Sequence, residues 1–171
     1  MPQKLLSVQE IKKLDKLLHR VFDFIKKLKN QYSLANRIKN PQLPSSLTES
    51  LTIHLLKKKK FLKELKGFDF GFGGRTADIL ATKGSKQIRI EVKATAKMAF
   101  EYFGDKDISA DYIVWVHFAD YFMGSGHNLI KIFIVKKPGI YFKRPVKITL
   151  QKLKQKVGKK LEEIDFDIES L

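Results

Sequence analysis

The sequence contains no cysteine, so the chain has neither disulfides nor thiolate metal ligands. This absence agrees with a reducing compartment. It also lacks any apolar run approaching the roughly 20 residues of a membrane helix, and its N-terminus has no apolar block typical of a signal peptide. We therefore expect a soluble, cytoplasmic protein with no membrane partner. With 171 residues, 43% of them hydrophobic, it can bury a core of its own.

Acidic residues are scarce relative to basic ones, and the formal net charge is +16. Residues 1–66 hold 16 basic and 5 acidic side chains, residues 67–122 hold 7 and 8, and residues 123–171 hold 11 and 5. A nearly neutral centre is thus flanked by two basic arms. Phosphate backbones are the commonest partners of such surfaces, although solvated helix faces of a lysine-rich chain would give the same composition.

The N-terminal half reads as two helices. Apolar residues recur every three or four positions over 8–29, which predicts one long amphipathic helix. The turn-forming stretch "NPQLPSS" at 40–46 separates a helical extension (1–43) from the remaining domain (44–171). Ser45 or Ser46 is expected to cap a second helix that runs to about residue 66, with Glu49 in its first turn.

The remainder reads as strands with two further helices. "DYIVWVHFA" at 111–119 is typical of a buried central strand, so Trp115 is expected in the core. A C-terminal helix is expected to begin at Thr149 and to include Leu161 and Ile164. The other expected elements are strands near 68–74, 76–82, 87–94 and 128–136, and a helix over 97–109.

The stretch "RTADILATKGSKQIRIEVKA" at 75–94 predicts a β-hairpin. Gly84-Ser85 fits a two-residue type II′ turn, and pairing of Lys83 with Lys86 then sets Asp78 opposite Glu91. Directly opposed side chains share a face, with Cβ atoms roughly 4.5–5.5 Å apart. Side chains alternate along a strand, so Lys93 projects from the same face as Glu91.

Two carboxylates this close repel one another unless a cation lies between them. Oxygen ligands of this kind suit Mg²⁺, which one or two carboxylates commonly hold together with waters and substrate phosphate oxygens. Lys93 could stabilise the charge on a phosphate under attack or help to deprotonate the attacking water. The alternative is a half-exposed hairpin on which Asp78, Arg89, Glu91 and Lys93 form ordinary surface ion pairs.

Asp78, followed after a short hairpin by Glu91-Val92-Lys93, resembles the Asp…Glu-x-Lys signature of the PD-(D/E)xK nuclease superfamily. This superfamily includes restriction endonucleases, archaeal Holliday junction resolvases and repair nucleases. The resemblance covers residues 46–119 and implies an α/β fold with a restriction endonuclease-like αβββαβ core and a mixed sheet, here with an N-terminal helical extension and a C-terminal helix. The sequence departs from the pattern at Ala77, where many members have proline.

The resemblance also implies roles for individual residues. Asp78, Glu91 and the backbone carbonyl of Val92 would hold Mg²⁺, for which Mn²⁺ is expected to substitute, and no small-molecule cofactor is implied. Lys93 would position or activate the water, and Glu49 would orient it or reach a second ion, although a carboxylate near a helix N-terminus also suits the helix dipole.

The implied activity is hydrolysis of DNA phosphodiesters by a restriction-type or repair endonuclease. Cutting both strands of a duplex favours a homodimer. The alternatives are a Holliday junction resolvase of the same fold, a non-catalytic DNA-binding protein and, more remotely, an RNA-binding module. The expected phosphate contacts are Arg75, Lys57, Lys58, Lys59, Lys60 and Lys97.

Overall fold

The computed structural model describes residues 4–96, 100–118, 121–123 and 129–171. Within these ranges the chain forms helices, strands and several short 3₁₀ turns. The helices are α1 (Val8–Gln31), α2 (Ser45–Lys57), α3 (Asp105–Ile108) and α4 (Leu150–Val157). The strands are β1 (Asp69–Phe72), β2 (Ile79–Lys83), β3 (Lys86–Thr95), β4 (Phe100–Phe103), β5 (Tyr112–His117), β6 (Ile130–Lys136), β7 (Val146–Thr149) and β8 (Glu162–Phe166).

Six strands form one mixed sheet in the order β1-β2-β3-β5-β6-β8. Strands β3 and β5 are parallel, and all other neighbours in this sheet are antiparallel. The crossover between β3 and β5 contains β4 and α3, and β4 pairs with β7 in a separate two-stranded sheet. The predicted α/β class with a mixed sheet is therefore confirmed.

Apolar side chains cover both faces of the large sheet. One face carries Ile90, Val114 and Ile132 and packs against α1 and α2. The opposite face carries Trp115 and Phe133 and packs against the small sheet and α4. Trp115 is fully buried, as expected of a core residue. No described helix combines the length and apolar character needed to cross a membrane.

Helix α1 matches its prediction and begins with a capping box. The Ser7 hydroxyl accepts a hydrogen bond from the Glu10 amide, and the Glu10 carboxylate accepts one from the Ser7 amide. Ile11 and Phe22 on its inner face are buried in the core beneath the large sheet.

Helix α2 differs from its prediction at both ends. Its N-cap is Pro44, so neither Ser45 nor Ser46 caps it. It ends at Lys57 instead of residue 66, because the backbone reverses through Lys59 and Leu62, which both have positive φ. This turn places both Phe61 and Leu65 in the core.

The hairpin has the predicted register. Lys83 pairs with Lys86 and Ile79 with Ile90, and Gly84 has a φ of +58° that suits the first position of the turn. Ile90 faces the core next to α2. Glu91 aligns with Ile113 of β5, which faces the opposite side of the sheet.

Among the described residues, the predicted helix over 97–109 is wrong for 100–104 and correct only for Asp105–Ile108. This segment contains β4 and the four-residue α3. Pairing of β4 with β7 buries Phe103 and Ile148 against the second face of the sheet. This tertiary burial outweighs the local helix preference.

The predicted C-terminal helix is correct only at its start. Thr149 caps α4 through a hydrogen bond from the Lys152 amide, but the helix ends at Gly158, whose φ is +60°. Ile164, expected on the helix, lies in β8 and pairs with Ile132. The alternating pattern "EEIDF" suits this edge strand.

Candidate active site

Asp78 is held immediately before β2 by a tight turn that follows β1. The Gly73 amide donates a hydrogen bond to the Asp78 carbonyl oxygen over 3.1 Å. A Cβ atom at Gly73 would lie 2.6 Å from the Ala77 carbonyl oxygen, so this close approach requires glycine. The glycine-rich stretch "GFGGR" thus fixes the position of the first candidate ligand.

The carboxylates of Asp78 and Glu91 converge on a single point. Asp78 Oδ1 and Glu91 Oε2 each lie 3.0 Å from the Nζ atom of Lys106. The second oxygen of Asp78 accepts a hydrogen bond from the Val92 amide over 2.8 Å. The predicted convergence of the two acids is therefore present, and the cation between them is an ammonium group of the chain itself.

Lys106 was not predicted as a site residue. It lies in α3, 28 residues after Asp78, and nothing in "GDKDIS" distinguishes it from the many other lysines. Partial burial lowers the pKa of Lys106, but hydrogen bonds to Glu91 and Asp78 outweigh this effect and raise the pKa above its ordinary value. The ammonium is therefore charged at neutral pH.

Glu91 is buried although it carries a carboxyl group. Only 2% of the residue is exposed, and its Oε1 atom has no hydrogen-bond partner among the described residues. Burial raises the pKa of Glu91 to about 7, and the charge of Asp78 acts in the same direction against the hydrogen bond from Lys106. A buried oxygen without a partner is costly unless a further ligand satisfies it.

Lys93 lies on the same face as Glu91 and is fixed by a carboxylate that the sequence did not single out. Its Nζ atom lies 2.9 Å from Asp107 Oδ1. The other Asp107 oxygen accepts a hydrogen bond from the Gly104 amide over 2.7 Å. Asp107 is 4% exposed, so this pair holds Lys93 in one orientation.

Glu49 reaches the same group of charges from α2. It is the fifth residue of that helix, so the expectation that it lies in the first turn is wrong. Burial raises the pKa of Glu49, and the charge of Asp78 raises it further while that of Lys106 lowers it. Glu49 therefore interacts electrostatically with Asp78 and Lys106 of this group.

The Val92 carbonyl points to the side of β3 on which Asp78 lies. The Arg89 amide donates a hydrogen bond to the Asp111 carboxylate, and the Arg89 carbonyl accepts one from the Asp111 amide. Asp111 directly precedes β5, so both backbone groups of Arg89 point toward β5. Backbone groups along a strand alternate in direction, so both groups of Val92 point the other way. The amide bond to Asp78 agrees with this direction.

The donor set fits a hard divalent cation. In the part of the chain that the structure describes, no three His, Cys, Asp or Glu side chains are grouped closely enough to form a metal cage alone. Mg²⁺ does not need such a cage, because it commonly binds one or two carboxylates and keeps several waters. Glu91 Oε1, which has no hydrogen-bond partner among the residues that the structure covers, and the adjacent Val92 carbonyl add oxygen donors of the appropriate kind.

The residues predicted to contact phosphates lie in three separate segments of the chain. Arg75 is exposed in the turn that precedes Asp78. The end of α2 and the turn after it carry four exposed lysines, Lys57, Lys58, Lys59 and Lys60. Among them, Lys58 donates a hydrogen bond to the Leu171 carbonyl oxygen. Lys97 lies outside the described residues.

The chain matches no protein-family model and no curated protein sequence.

Proposed function

We propose that the protein is a metal-dependent endonuclease that hydrolyses DNA phosphodiester bonds. The observation that carries this proposal is the convergence of Asp78 and Glu91 on one cation position, with Lys93 next along the same face of β3. Surface ion pairs do not account for this geometry, because Glu91 is almost fully buried and one of its oxygens has no partner in the described part of the chain.

The order of elements supports the proposed restriction endonuclease-like core. Helix α2 precedes the antiparallel strands β1, β2 and β3, and a crossover then leads to the parallel strand β5. Apart from the crossover, this is the αβββαβ order of that core. The departure lies in the crossover, where strand β4 is added and the helix has only four residues.

In this proposal Asp78, Glu91 and the Val92 carbonyl hold Mg²⁺ or Mn²⁺. When bound, the ion would lower the pKa of a coordinated water and neutralise charge on the phosphate. Lys93, oriented by Asp107, would then stabilise the attacked phosphate or orient the water. Glu49 would orient the water or reach a second ion from the side of α2.

A non-catalytic DNA-binding protein is the second candidate, and one observation favours it. The Lys106 ammonium already compensates both acids, so the group is electrostatically satisfied without a metal. A Holliday junction resolvase is an alternative within the nuclease proposal. A homodimer with two such sites is proposed for duplex cutting, since a two-fold axis relates the two strands.

Magnesium binding and strand cleavage test the proposal together. Calorimetric titration with Mg²⁺ should show binding to the wild type that Asp78→Asn abolishes, while Asp69→Asn on the exposed side of β1 serves as the matched control. In Mg²⁺, labelled duplex, four-way junction and plasmid DNA should be cut by the wild type and the control only. Lys93→Ala should bind DNA and fail to cut it.

The alternatives give different results in the same experiment. Symmetric nicking of the junction alone would identify a resolvase. DNA binding by the wild type without magnesium binding or cleavage would refute the nuclease proposal and support a binding protein.

A further inference from the structure

The small sheet of β4 and β7 displays two aromatic rings on its outer face. Phe100 is 50% exposed and Tyr102 is 55% exposed, whereas Phe103 is fully buried. Phe100 pairs with Thr149 and Tyr102 with Lys147, so these four residues share the exposed face. We call this face the aromatic ribbon.

The aromatic ribbon lies in a basic setting. The Lys147 Nζ atom lies 3.4 Å from the centroid of the Phe100 ring, which is a cation–π contact. Phe100 also lines a groove of about 740 Å³. The polar side chains of that groove are Lys29, Asn36, Arg37, Lys39, Asn40, Gln42, Thr95 and Glu101.

The groove and the candidate active site are adjacent along strand β3. Residues 94–96, which directly follow Lys93 on β3, form part of its lining. A Cβ atom at Gly104 would lie 3.5 Å from Tyr102 Cε1 and 3.8 Å from Asp107 Oδ2, so the Tyr102 ring and the carboxylate that holds Lys93 both lie close to Gly104. A ligand in the groove could therefore reach both the ribbon and the site.

Three cations and one carboxylate, Glu101, line the described part of this groove. This charge balance is complementary to a phosphate backbone. A ring that lines a basic groove, with a second exposed ring on the same strand face, suits unpaired bases, because every base offers a flat face for stacking. Paired bases in a duplex offer no such face, since both sides are already stacked.

We propose that the aromatic ribbon and its groove bind an unpaired stretch of DNA, with Phe100 and Tyr102 stacking on bases and Lys29, Arg37 and Lys39 contacting phosphates. The preferred substrate is then DNA that carries a single-stranded segment, such as an overhang, flap or gap. This inference deepens the proposed function and rests on it only for cleavage. Binding itself requires neither Mg²⁺ nor the carboxylates.

Fluorescence anisotropy in EDTA tests the binding step. A labelled oligo-dT strand, a blunt duplex and an oligo-dU RNA strand are titrated with the wild type and with Phe100→Ala/Tyr102→Ala. Each lost stacking contact is expected to weaken binding of the strand roughly 5- to 150-fold. Duplex affinity should change less than about two-fold.

Three further variants control for fold and for exposed apolar surface. Phe24→Ala removes another ring that is 62% exposed, on α1, and should leave affinity unchanged. Phe100→Leu/Tyr102→Leu keeps apolar bulk and strand structure but should still lose affinity for the strand. Tyr102→Phe keeps the ring and should bind as the wild type does.

Several outcomes would overturn the inference. They are an unchanged affinity in both double variants, an equal loss for duplex and strand, and tighter binding of oligo-dU than of oligo-dT. Dissociation of a dimer by these variants in sedimentation velocity would make the ribbon a protein interface instead. Selective strand binding by Asp78→Asn without any cleavage by the wild type would preserve this inference and refute the nuclease.

Discussion

In the proposed metal site, Lys106 and a divalent ion would compete for the same two carboxylate oxygens. The ammonium lies 3.0 Å from both Asp78 Oδ1 and Glu91 Oε2, which is the position that a shared cation would take. In the proposed site, a metal ion bound there would therefore have to displace Lys106. The metal affinity of that site would then include the cost of breaking two charge-assisted hydrogen bonds.

Replacing Lys106 by methionine should tighten Mg²⁺ binding by about ten-fold or more, because the competing cation is lost. The same change should lower the melting temperature in EDTA, where the two acids then lack compensation. Calorimetry and thermal denaturation measure the two effects. Lys154→Met removes an ion-paired lysine of equal exposure outside the site. This control should change neither the magnesium affinity nor the melting temperature in the same way. Unchanged magnesium affinity in Lys106→Met would contradict competition.

Glu91 gives the metal-free protein a characteristic pH dependence. Its pKa rises from 4.5 in the unfolded chain to about 7 on folding, so the folded state binds more protons between these values. The contribution of Glu91 to the free energy of unfolding is therefore fully present below pH 4.5, and it is lost as the pH rises toward 7. Above pH 7 the cost of the buried carboxylate is complete.

Glu91→Gln should remove this dependence. In EDTA, the stability of the variant relative to wild type should rise by up to about 3 kcal/mol between pH 5 and pH 8. Urea unfolding at both pH values measures the change. Glu163→Gln, a half-exposed partner of Lys154, should show no comparable rise. A constant difference between variant and wild type across this range would contradict the role of Glu91 burial.

At this scale the sequence predicted one part of the candidate site. Asp78, Glu91 and Lys93 could be placed together because a two-residue turn sets their register within one hairpin. Lys106 and Asp107 could not be placed with them, since they come from α3, within the crossover between β3 and β5. No local pattern distinguishes them from solvent-exposed residues.

At the scale of helices and strands, the sequence predicted those elements whose apolar pattern extends over many consecutive residues. Helix α1 repeats its apolar residues every three or four positions over 24 residues. Strand β5 is recognisable as a continuous apolar run. Strands β4 and β7 have four residues each, and β7 follows β4 by more than forty positions. Their pairing depends on burial of Phe103 and Ile148, which is a tertiary effect that a local window does not contain.

The ends of α1 and α2 make a matched test of helix capping. Ser7→Ala removes the side-chain oxygen that accepts the Glu10 amide and should reduce the free energy of unfolding by about 1 kcal/mol. Ser46→Ala, at the position once expected to cap α2, should change it by less than roughly half that amount, because Pro44 is the N-cap. Urea denaturation of both variants measures the difference. An equal loss in the two would show that the caps are misassigned.

For the whole molecule, the basic charge is concentrated outside the site. The centre of the chain is nearly neutral, and the lysines at 57–60 lie exposed in the turn after α2. Such charges give affinity for any phosphate backbone without reading its sequence. If the proposed function holds, selectivity among nucleic acids would come from the candidate active site and from the aromatic ribbon.

The salt dependence of duplex binding separates free lysines from those compensated within the fold. Log affinity against log salt falls by about 0.9 for each phosphate contact, so Lys57→Gln/Lys59→Gln/Lys60→Gln should flatten the slope by up to about 3. Lys131 lies 2.7 Å from Asp165, so its charge is already paired and Lys131→Gln should leave the slope nearly unchanged. Anisotropy titrations with Asp78→Asn over a salt series isolate binding from cleavage. A slope that Lys131→Gln reduces as much as a single change within 57–60 would mean that net charge, and not position, governs DNA affinity.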